Sequence, residues 1–516
     1  MSLEPGAHVH FVGIGGFGLS AIAKVMLEEG YRVSGCDLDE SPLARQLRMR
    51  GVQVSVGHDP AHIDPTNGLD RPDALVVSSA VPDDNPELEA ARAANIPVYK
   101  RADVLGELMS GRIGVAIAGT HGKTTTTAMT AYVLMQAGLE PTYIVGGVIL
   151  NTGTNAHAGR GKPFVVEADE YDRMFMGLRP SVAVVTSIEH DHPDKFPSLH
   201  DVTAAFEDFV GLLPDDGLLI ACYDDPQARL LAEKRRRARL PVVTYGLSHG
   251  ADLRALELMP NTQGGSDFIV KQGLMLRGLV RLRLPGAHNV QNCLAVLILA
   301  EHLGVQFELT AAVISEFEGT ERRFEVKGEI GGVIAVDDYA HHPTAVRATL
   351  DSARRRYGSS PLWAVFQPHT FTRTKALLNE FSTAFGEAEH VIVTDIYRAR
   401  ETDDLGVSSK ALVKAMKHPD ARHIGKLDAV VDFLARAVEP GDVVITMSAG
   451  DATRIGDDLL DALAERFEGG APLEEAARSP GQDLYEDAAA TSGIVKRLLT
   501  YLRREEAAPD GKAPSN

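Results

Sequence analysis

Apolar residues along this chain come in short blocks that alternate between two periods. Residues 8–13, HVHFVG, form a strand-type run, and GIGGFG follows. LSAIAKVMLEEG then repeats its apolar positions every three to four residues, as an amphipathic helix does. YRVSGCD reads as a second strand, and residues 74–79 and 97–99 as further ones. Such β-α-β alternation predicts a parallel sheet covered by helices. Near residue 108 the pattern restarts. RIGVAIAG reads as a buried strand, THGKTTTTAMTAYVLMQAG as a helix, and FVVEAD and VAVVTSI as strands. Residues 216–222 and 241–245 continue the alternation, and a strand-rich insert occupies 266–284. From about residue 332 the pattern restarts again: GVIAVDD, a helix at 344–356, PLWAVFQP, a helix at 373–387, HVIVTDI and DVVITMSAG. The expected fold is α/β in three domains, at 1–107, 108–325 and 326–466. The tail, 467–516, is rich in Ala, Glu, Gly and Pro and is expected to be disordered, with one amphipathic helix around SGIVKRLLTYLRR.

Composition narrows the class. A chain of 516 residues is too long for one ordinary domain, and its 44% hydrophobic content is enough for real cores. No stretch approaches roughly 18 uninterrupted apolar residues, so no membrane span is expected. The start, MSLEPGAHVHFVG, lacks the basic and apolar regions of a targeting segment, which predicts a cytoplasmic protein. The net charge of −19 argues against general nucleic-acid binding. It leaves room for an anionic small ligand held by local cations and helix N-termini. Cys36, Cys222 and Cys293 make no metal or disulfide spacing and read as small core residues.

Four constellations carry candidate chemistry. Gly13, Gly15 and Gly18 form G-x-G-x-x-G between a strand and a helix, and Asp37 ends the next strand. That is the context of a dinucleotide or nucleotide-diphosphate site, and it does not choose between NAD and another diphosphate. Second, residues 118–127, AGTHGKTTTT, place Gly122, Lys123 and Thr124 where a strand turns into a helix. Ile117 stands where the usual phosphate loop has its first glycine; the nearest glycine is Gly119. Lys123 suits β/γ-phosphate charge and the Thr124 hydroxyl suits Mg²⁺. Third, two acidic segments lie at strand ends. One brings Glu167, Asp169, Glu170 and Asp172; the other brings Glu189, His190, Asp191, His192 and Asp194. Glu167 and His192 are the preferred cation ligands, and no three-ligand catalytic zinc site assembles from them. Fourth, His288, Asn289, Asn292, Arg322, Arg323, Asp337, Asp338, Tyr339, His341, His342, His369, Arg373 and Lys375 offer groups that read a base edge, grip a phosphoryl oxygen or carboxylate, or accept from a ribose hydroxyl.

Together these stretches resemble the Mur ligase family, ATP-dependent amide-forming enzymes of peptidoglycan synthesis. GTHGKTT is similar to that family's own phosphate loop, and HFVGIGGFGLSAIA, VVSSAVPDDNPEL, TNAHAG, RRFEVKGE, DDYAHHPT, FQPHTFTRTKALL and DIYRARE extend the likeness over about residues 7–460. The resemblance implies a Rossmann-like N-terminal domain for the UDP substrate, a central P-loop ATPase-like domain and a Rossmann-like C-terminal domain. It implies ATP with two Mg²⁺ ions, UDP-N-acetylmuramate and L-alanine as partners, and a monomer or weak homodimer. Gly13, Gly15, Gly16 and Gly18 would lie against the UDP pyrophosphate, with Asp37, Ser78 and Ser79 near the uridine. Gly119, Thr120, His121, Gly122, Lys123, Thr124 and Thr125 would form the ATP loop. Thr124 with Glu167 would hold one Mg²⁺, and Glu167 with His192 the second. Asn289 and Asn292 would face adenine, Arg323 the γ-phosphate and Asp338 the ribose. Tyr339, His369 and Arg373 would form the amino-acid pocket, and His192 or His342 would be the base.

Three positions depart from the family pattern or bear on it. Some relatives carry arginine where Thr370 stands. Tyr171 replaces a serine common among alanine-adding members, and the members that recycle a murein tripeptide often have tyrosine there. Other members use a carbamylated lysine about fifteen residues after the aspartate-histidine pair; counting from His192 reaches Glu207, which would supply a carboxylate directly. An NAD-dependent oxidoreductase or a non-catalytic nucleotide sensor would be the readings outside the class.

Overall fold

The computed structural model describes residues 3–64, 70–78 and 80–468. Ser79 and the tail beyond Glu468, including the helix expected there, lie outside the described residues. Three sheets follow one another along the chain, which makes the protein a three-domain α/β structure.

The first sheet is wholly parallel. It contains β1 (His8–Val12), β2 (Arg32–Asp37), β3 (Gln53–Val56), β4 (Ala74–Val77) and β5 (Val98–Lys100), in the order β3-β2-β1-β4-β5. The order reverses beside β1, and open sheets of this kind take ligands at the carboxyl ends beside such a reversal. β1 is buried along its whole length, the polar His8 and His10 included.

The second sheet has ten strands. They are β6 (Ile113–Ala118), β7 (Thr142–Ile149), β8 (Thr154–His157), β9 (Pro163–Glu167), β10 (Val182–Val185), β11 (Leu218–Cys222), β12 (Val242–Gly246), β13 (Leu253–Pro260), β14 (Ser266–Gln272) and β15 (Met275–Leu282). Their order is β15-β14-β13-β12-β11-β10-β6-β9-β7-β8. Neighbours from β13 through β7 run parallel, and antiparallel pairs close both edges. β6 is thus central, and the chain leaves it straight into the helix Lys123–Gln136.

The third sheet contains β16 (Glu325–Ile330), β17 (Val333–Asp338), β18 (Leu362–Phe366), β19 (His390–Val393), β20 (Ala421–His423) and β21 (Val443–Met447), in the order β16-β17-β21-β18-β19-β20. Only β16 pairs antiparallel there. Separate apolar clusters cover its two faces. One face of the first sheet instead shares a core with the second sheet, and a cluster of its own covers the other face. The helix Phe17–Glu28 packs on β7 and β8, and Arg112 meets Glu29 at 2.7 Å beside it.

Sequence and structure differ in places. β3, β7, β8, β13, β16 and β20 were not expected. β8, β16 and β20 are short or polar pieces at sheet edges, and the Gly146-Gly147 pair interrupts the strand pattern of β7. The helix expected at 373–387 is two short ones, Phe371–Ala376 and Leu378–Phe381. Beyond them the chain winds more tightly, with Thr383 N and Ala384 N donating to carbonyls three residues back.

One aromatic cluster fixes the segment that leads to the site. Beyond β9 the chain enters the short 3₁₀ stretch Tyr171–Gly177, where Phe175 stacks on Phe209 at 4.8 Å and meets Phe206 edge-on at 5.5 Å. Phe206 and Phe209 belong to the helix Leu199–Val210. Phe175→Ala is expected to destabilise the protein by about 3–5 kcal/mol. The readout is a lower denaturation midpoint at unchanged slope, and an unchanged midpoint would refute this role of the cluster.

Candidate active site

The carboxyl ends of β6, β9 and β10 meet those of β17 and β18 around a cavity of about 640 Å³. Its floor is the turn after β6. Gly119 (φ +142°) and Gly122 (φ +79°) both hold conformations that L side chains rarely adopt. A Cβ on Gly119 would stand 1.9 Å from Thr186 Oγ1, and one on Gly122 would stand 2.6 Å from Asn292 Oδ1. The turn is therefore both left-handed and tightly backed. Gly122 is the N-cap of the helix Lys123–Gln136, and no side chain satisfies the first helical N–H groups. Those N–H groups and the helix dipole favour an anion.

Side chains around the turn are charged and mostly buried. Lys123 Nζ donates to Gly119 O at 2.6 Å and to the Glu170 carboxylate at 2.7 and 2.9 Å. Burial opposes the Lys123 charge, but Glu170, Asp169 and Glu167 outweigh it and hold its pKa above the ordinary value. Burial pushes the Glu170 carboxyl up to about 7 against the pull of Lys123. Thr124 Oγ1 donates to Glu167 Oε1 at 3.2 Å and accepts from Arg323 at 3.0 Å. His192 Nε2 lies 4.0 Å from Glu170 Oε1. The structure thus pairs Thr124 with Glu167, and His192 with Glu170. Three oxygen donors and one imidazole beside an anion cradle suit a divalent cation of the magnesium type.

Elements of the third sheet close the other side. Arg373, 4% exposed, donates from Nε to Asp191 Oδ1 at 2.8 Å. It also meets His369 Nδ1 at 3.1 Å and His192 Nδ1 at 3.4 Å. Burial works against the Asp191 charge, yet Arg373 holds its pKa well below the usual range. His369 stacks on Tyr397, and burial beside Arg373 lowers its pKa to about 4. Arg323 lies over the Tyr339 ring at 4.7 Å. The Asp338 carboxylate accepts from Phe324 N at 2.7 Å, Ala340 N at 2.8 Å and Thr349 Oγ1 at 3.2 Å. Asn289 donates to Pro285 O at 2.7 Å, and Asn292 to Asn289 Oδ1 at 3.2 Å. His342 caps the helix Pro343–Tyr357 through its Nδ1, and burial beside His121 lowers its pKa to about 4.

The cavity gathers Thr120, His121, Gly122, Lys123, Thr124 and Thr125 with Glu167, His192, Asn289, Asn292, Arg323, Asp338, Tyr339, His369 and Arg373. His342 sits at its edge, 3.4 Å from Glu189 Oε2. Gly13, Gly15, Gly16, Gly18, Asp37 and Ser78 do not line it; they gather at the carboxyl edge of the first sheet. Gly15 N donates to Asp37 Oδ2 at 2.8 Å, a Cβ on Gly13 would touch Ser78 at 3.0 Å, and one on Gly18 would touch Arg101 at 2.9 Å. Arg101 reaches back toward the central domain, 3.8 Å from Asp169.

Glu207 does not stand where counting from His192 placed it. It projects from the helix Leu199–Val210, half exposed and ion-paired with Lys234, because that face of the helix looks outward. Glu170 supplies the inner carboxylate instead. In the sequence Glu170 and Asp191 stand out only as members of acidic runs, and Arg400 and Glu401 carry no expected role. Arg400 lines the cavity, and Glu401 accepts from Thr372 N at 3.2 Å at the start of the helix Phe371–Ala376. The DIYRARE stretch was the available signal.

A strand-to-helix turn suited to phosphate, with carboxylates and an imidazole at its rim, closed by a third domain and joined to a Rossmann-like first domain, is the arrangement of a three-domain nucleotide-dependent ligase. The chain belongs to the Mur ligase family. The family models described as "Mur ligase family, catalytic domain", "Mur ligase middle domain" and "Mur ligase, glutamate ligase domain" match residues 8–112, 117–300 and 322–450. Two similar relatives are both named UDP-N-acetylmuramate–L-alanine ligase. The one from Rubrobacter xylanophilus is 43% identical over 88% of this chain and 100% of its own, and the one from an Anaeromyxobacter species is 44% identical over 89% and 98%. Among solved structures, a UDP-N-acetylmuramate-alanine ligase from Thermotoga maritima matches with a TM-score of 0.73 at 27% identity, covering 90% of this chain and 99% of that one. A murein peptide ligase from Psychrobacter arcticus matches with a TM-score of 0.67 at 26% identity, covering 89% and 99%.

Glu189 gives a pH-dependent test of the site's electrostatics. Burial works against its carboxylate, but the hydrogen bond from His121 prevails and holds its pKa down at about 2. A carboxylate depressed by folding stabilises the fold fully above its ordinary value of 4.5, and that contribution is lost as pH falls toward 2. Glu189→Gln is expected to flatten the loss of stability over this acid range, read from unfolding midpoints at successive pH values. An unchanged acid slope would contradict the assignment.

Proposed function

We propose that this protein is an ATP-dependent ligase that joins L-alanine to the lactyl carboxylate of UDP-N-acetylmuramate, giving ADP and phosphate, in peptidoglycan precursor synthesis. The observation that carries this reading is likeness of 41–44% over nearly the whole chain to relatives of that name. Among the described residues no helix is long and apolar enough to cross a membrane.

On this reading the first domain, residues 1–107, binds the UDP moiety at the Gly13–Gly18 turn, with Asp37 and Ser78 beside it. The central domain, 108–325, binds ATP, and the third, 326–466, supplies the amino-acid pocket. The N–H groups from Gly119 to Thr125 cradle the phosphates, Lys123 and Arg323 spread the charge of the transferring phosphoryl group, and Asn289, Asn292 and Asp338 receive the nucleoside. Magnesium, held by Thr124, Glu167, Glu170 and His192, would screen the phosphate charge when bound. The lactyl carboxylate attacks the γ-phosphorus in line and ADP leaves. The alanine amine then attacks the acyl carbon, and phosphate leaves with the carboxylate oxygen. Burial keeps both His192 and His342 neutral, but neither is singled out as proton acceptor: a His192 whose Nε2 holds the cation has its Nδ1 against Arg373, and the Nδ1 of His342 accepts from Thr344 N at 3.3 Å. Arg373, Tyr339, His369 and Arg400 face the incoming amino acid, so Arg400 offers a second guanidinium where Thr370 does not.

A second reading, ligation of L-alanyl-γ-D-glutamyl-meso-diaminopimelate in murein recycling, is favoured by one residue. Tyr171 sits edge-on to His192 at 5.0 Å and faces the cavity. Phosphate release with Mg-ATP and UDP-N-acetylmuramate separates the two: release dependent on L-alanine is expected. Release only with the tripeptide would transfer the protein to recycling, and none with any acceptor would sink both readings. Lys123→Ala is expected to slow alanine-dependent release roughly 100–1,000-fold. Activity near that of the unaltered protein would remove Lys123 from the chemistry.

A further inference from the structure

Four side chains able to bind a metal, His10, Cys36, His58 and His62, crowd the buried carboxylate of Glu87 at the first sheet, apart from the cavity described above. Glu87, fully buried, lies in the first turn of the helix Pro86–Ala93, which Asn85 caps. Its carboxylate is 2.9 Å from His10 Nε2, 3.0 and 3.2 Å from Cys36 Sγ, 3.1 Å from His62 Nδ1 and 3.4 Å from His58 Nδ1. Cys36 Sγ is 3.2 Å from His58 Nδ1. The ligand atoms of His10, Cys36 and Glu87 all lie within 4.8 Å of one another.

The separations among His10, Cys36 and Glu87 are close to what an ion needs, and His58 adjoins that group through Cys36 and Glu87. Around tetrahedral zinc, with bonds of about 2.0–2.3 Å, neighbouring ligand atoms stand roughly 3.3–3.7 Å apart. Hydrogen bonding alone asks one buried carboxylate to serve a thiol, three imidazoles and Asp59 N at 3.1 Å. His10 is held in orientation from behind, as metal-binding imidazoles commonly are: its Nδ1 meets Ser34 Oγ at 2.8 Å, and that hydroxyl meets His8 Nε2 at 2.7 Å. The His58 and His62 side chains are partly exposed, which gives an entry path.

We propose that His10, Cys36, His58 and Glu87 form a structural site for a zinc-class cation, with His62 as an adjacent donor. One thiolate and one carboxylate neutralise the dication, both imidazoles bind neutral, and the Cys36 thiol proton passes to solvent on loading. The mix of sulfur, nitrogen and a single carboxylate selects a borderline-soft metal over magnesium. Its place suggests what it stabilises. The Cys36 carbonyl accepts from Gly13 N at 2.8 Å and Ile14 N at 3.0 Å, so an ion on Cys36 stiffens the turn that opens the glycine fingerprint. The spacing of the cysteines hides this site, because its ligands come from β1, β2, the loop after β3 and a helix.

The test is titration of the full-length, chelator-treated protein with Co²⁺, then Zn²⁺, followed by absorbance. About one equivalent of Co²⁺ is expected to give a near-ultraviolet thiolate charge-transfer band and strong visible bands of a tetrahedral site, both abolished by Zn²⁺. Cation bound by oxygen ligands at the ATP site gives no sulfur band. Cys36→Ser is expected to remove the charge-transfer band. Ser34→Ala, which removes the hydroxyl shared by His10 and His8 but no ligand, is expected to weaken Co²⁺ binding roughly 10–100-fold while keeping the band at saturation. Absence of the band in the unaltered protein would overturn the proposal, as would its persistence in Cys36→Ser. Should Cys36→Ser fail to fold, His58→Asn at the exposed edge decides: Co²⁺ affinity equal to that of the unaltered protein overturns the proposal.

Discussion

A charge buried between two domains must find its partner there, and the pairing of Arg373 with Asp191 is the contact on which the cavity depends. Both side chains are almost wholly buried, and their atoms lie 2.8 Å apart although 182 residues separate them. Removing one partner of such a pair costs about 3–5 kcal/mol, because the other is left uncompensated. The pair draws the third domain against the ends of β9 and β10. It also fixes His369 and His192, which share the same guanidinium. From there the charges continue inward through Glu170 to Lys123 at the phosphate turn. The cavity thus holds one connected path of charges from Arg373 to Lys123.

That arrangement is suited to an intermediate that water would destroy. His192, His341, His342 and His369 all have lowered pKa values, each chiefly because burial disfavours the imidazolium. The same burial strengthens every charge-assisted contact around the turn. An amine can attack only when neutral, and a neutral imidazole beside it can receive the proton it sheds.

Local features were legible in the sequence, and long-range ones were not. The phosphate turn is a strand, two glycines and a helix start within a few residues, so its chemistry could be read directly. The parallel sheets followed from β-α-β alternation, whereas polar edge strands such as β16 and β20 carry no apolar signal. Within VVEADEYD the order of residues does not say which carboxylate turns inward. The chain leaves β9 at Glu167 and enters a 3₁₀ winding with Asp172 and Arg173 at positive φ, and this aims Glu170 at Lys123. Counting residues to Glu207 failed for a similar reason: a helix face, not a distance in sequence, decides what a side chain meets. The surroundings of Cys36 depend on four separate segments and left no spacing to recognise.

The central claim is that the cavity activates a carboxylate by phosphorylating it. The direct measurement is the fate of oxygen-18 placed in the lactyl carboxylate of UDP-N-acetylmuramate, followed through turnover with Mg-ATP and L-alanine. One labelled carboxylate oxygen is expected to appear in the released phosphate. Phosphate free of label, with amide still formed, would contradict the claim and leave the cradle, Lys123 and Arg323 needing another explanation.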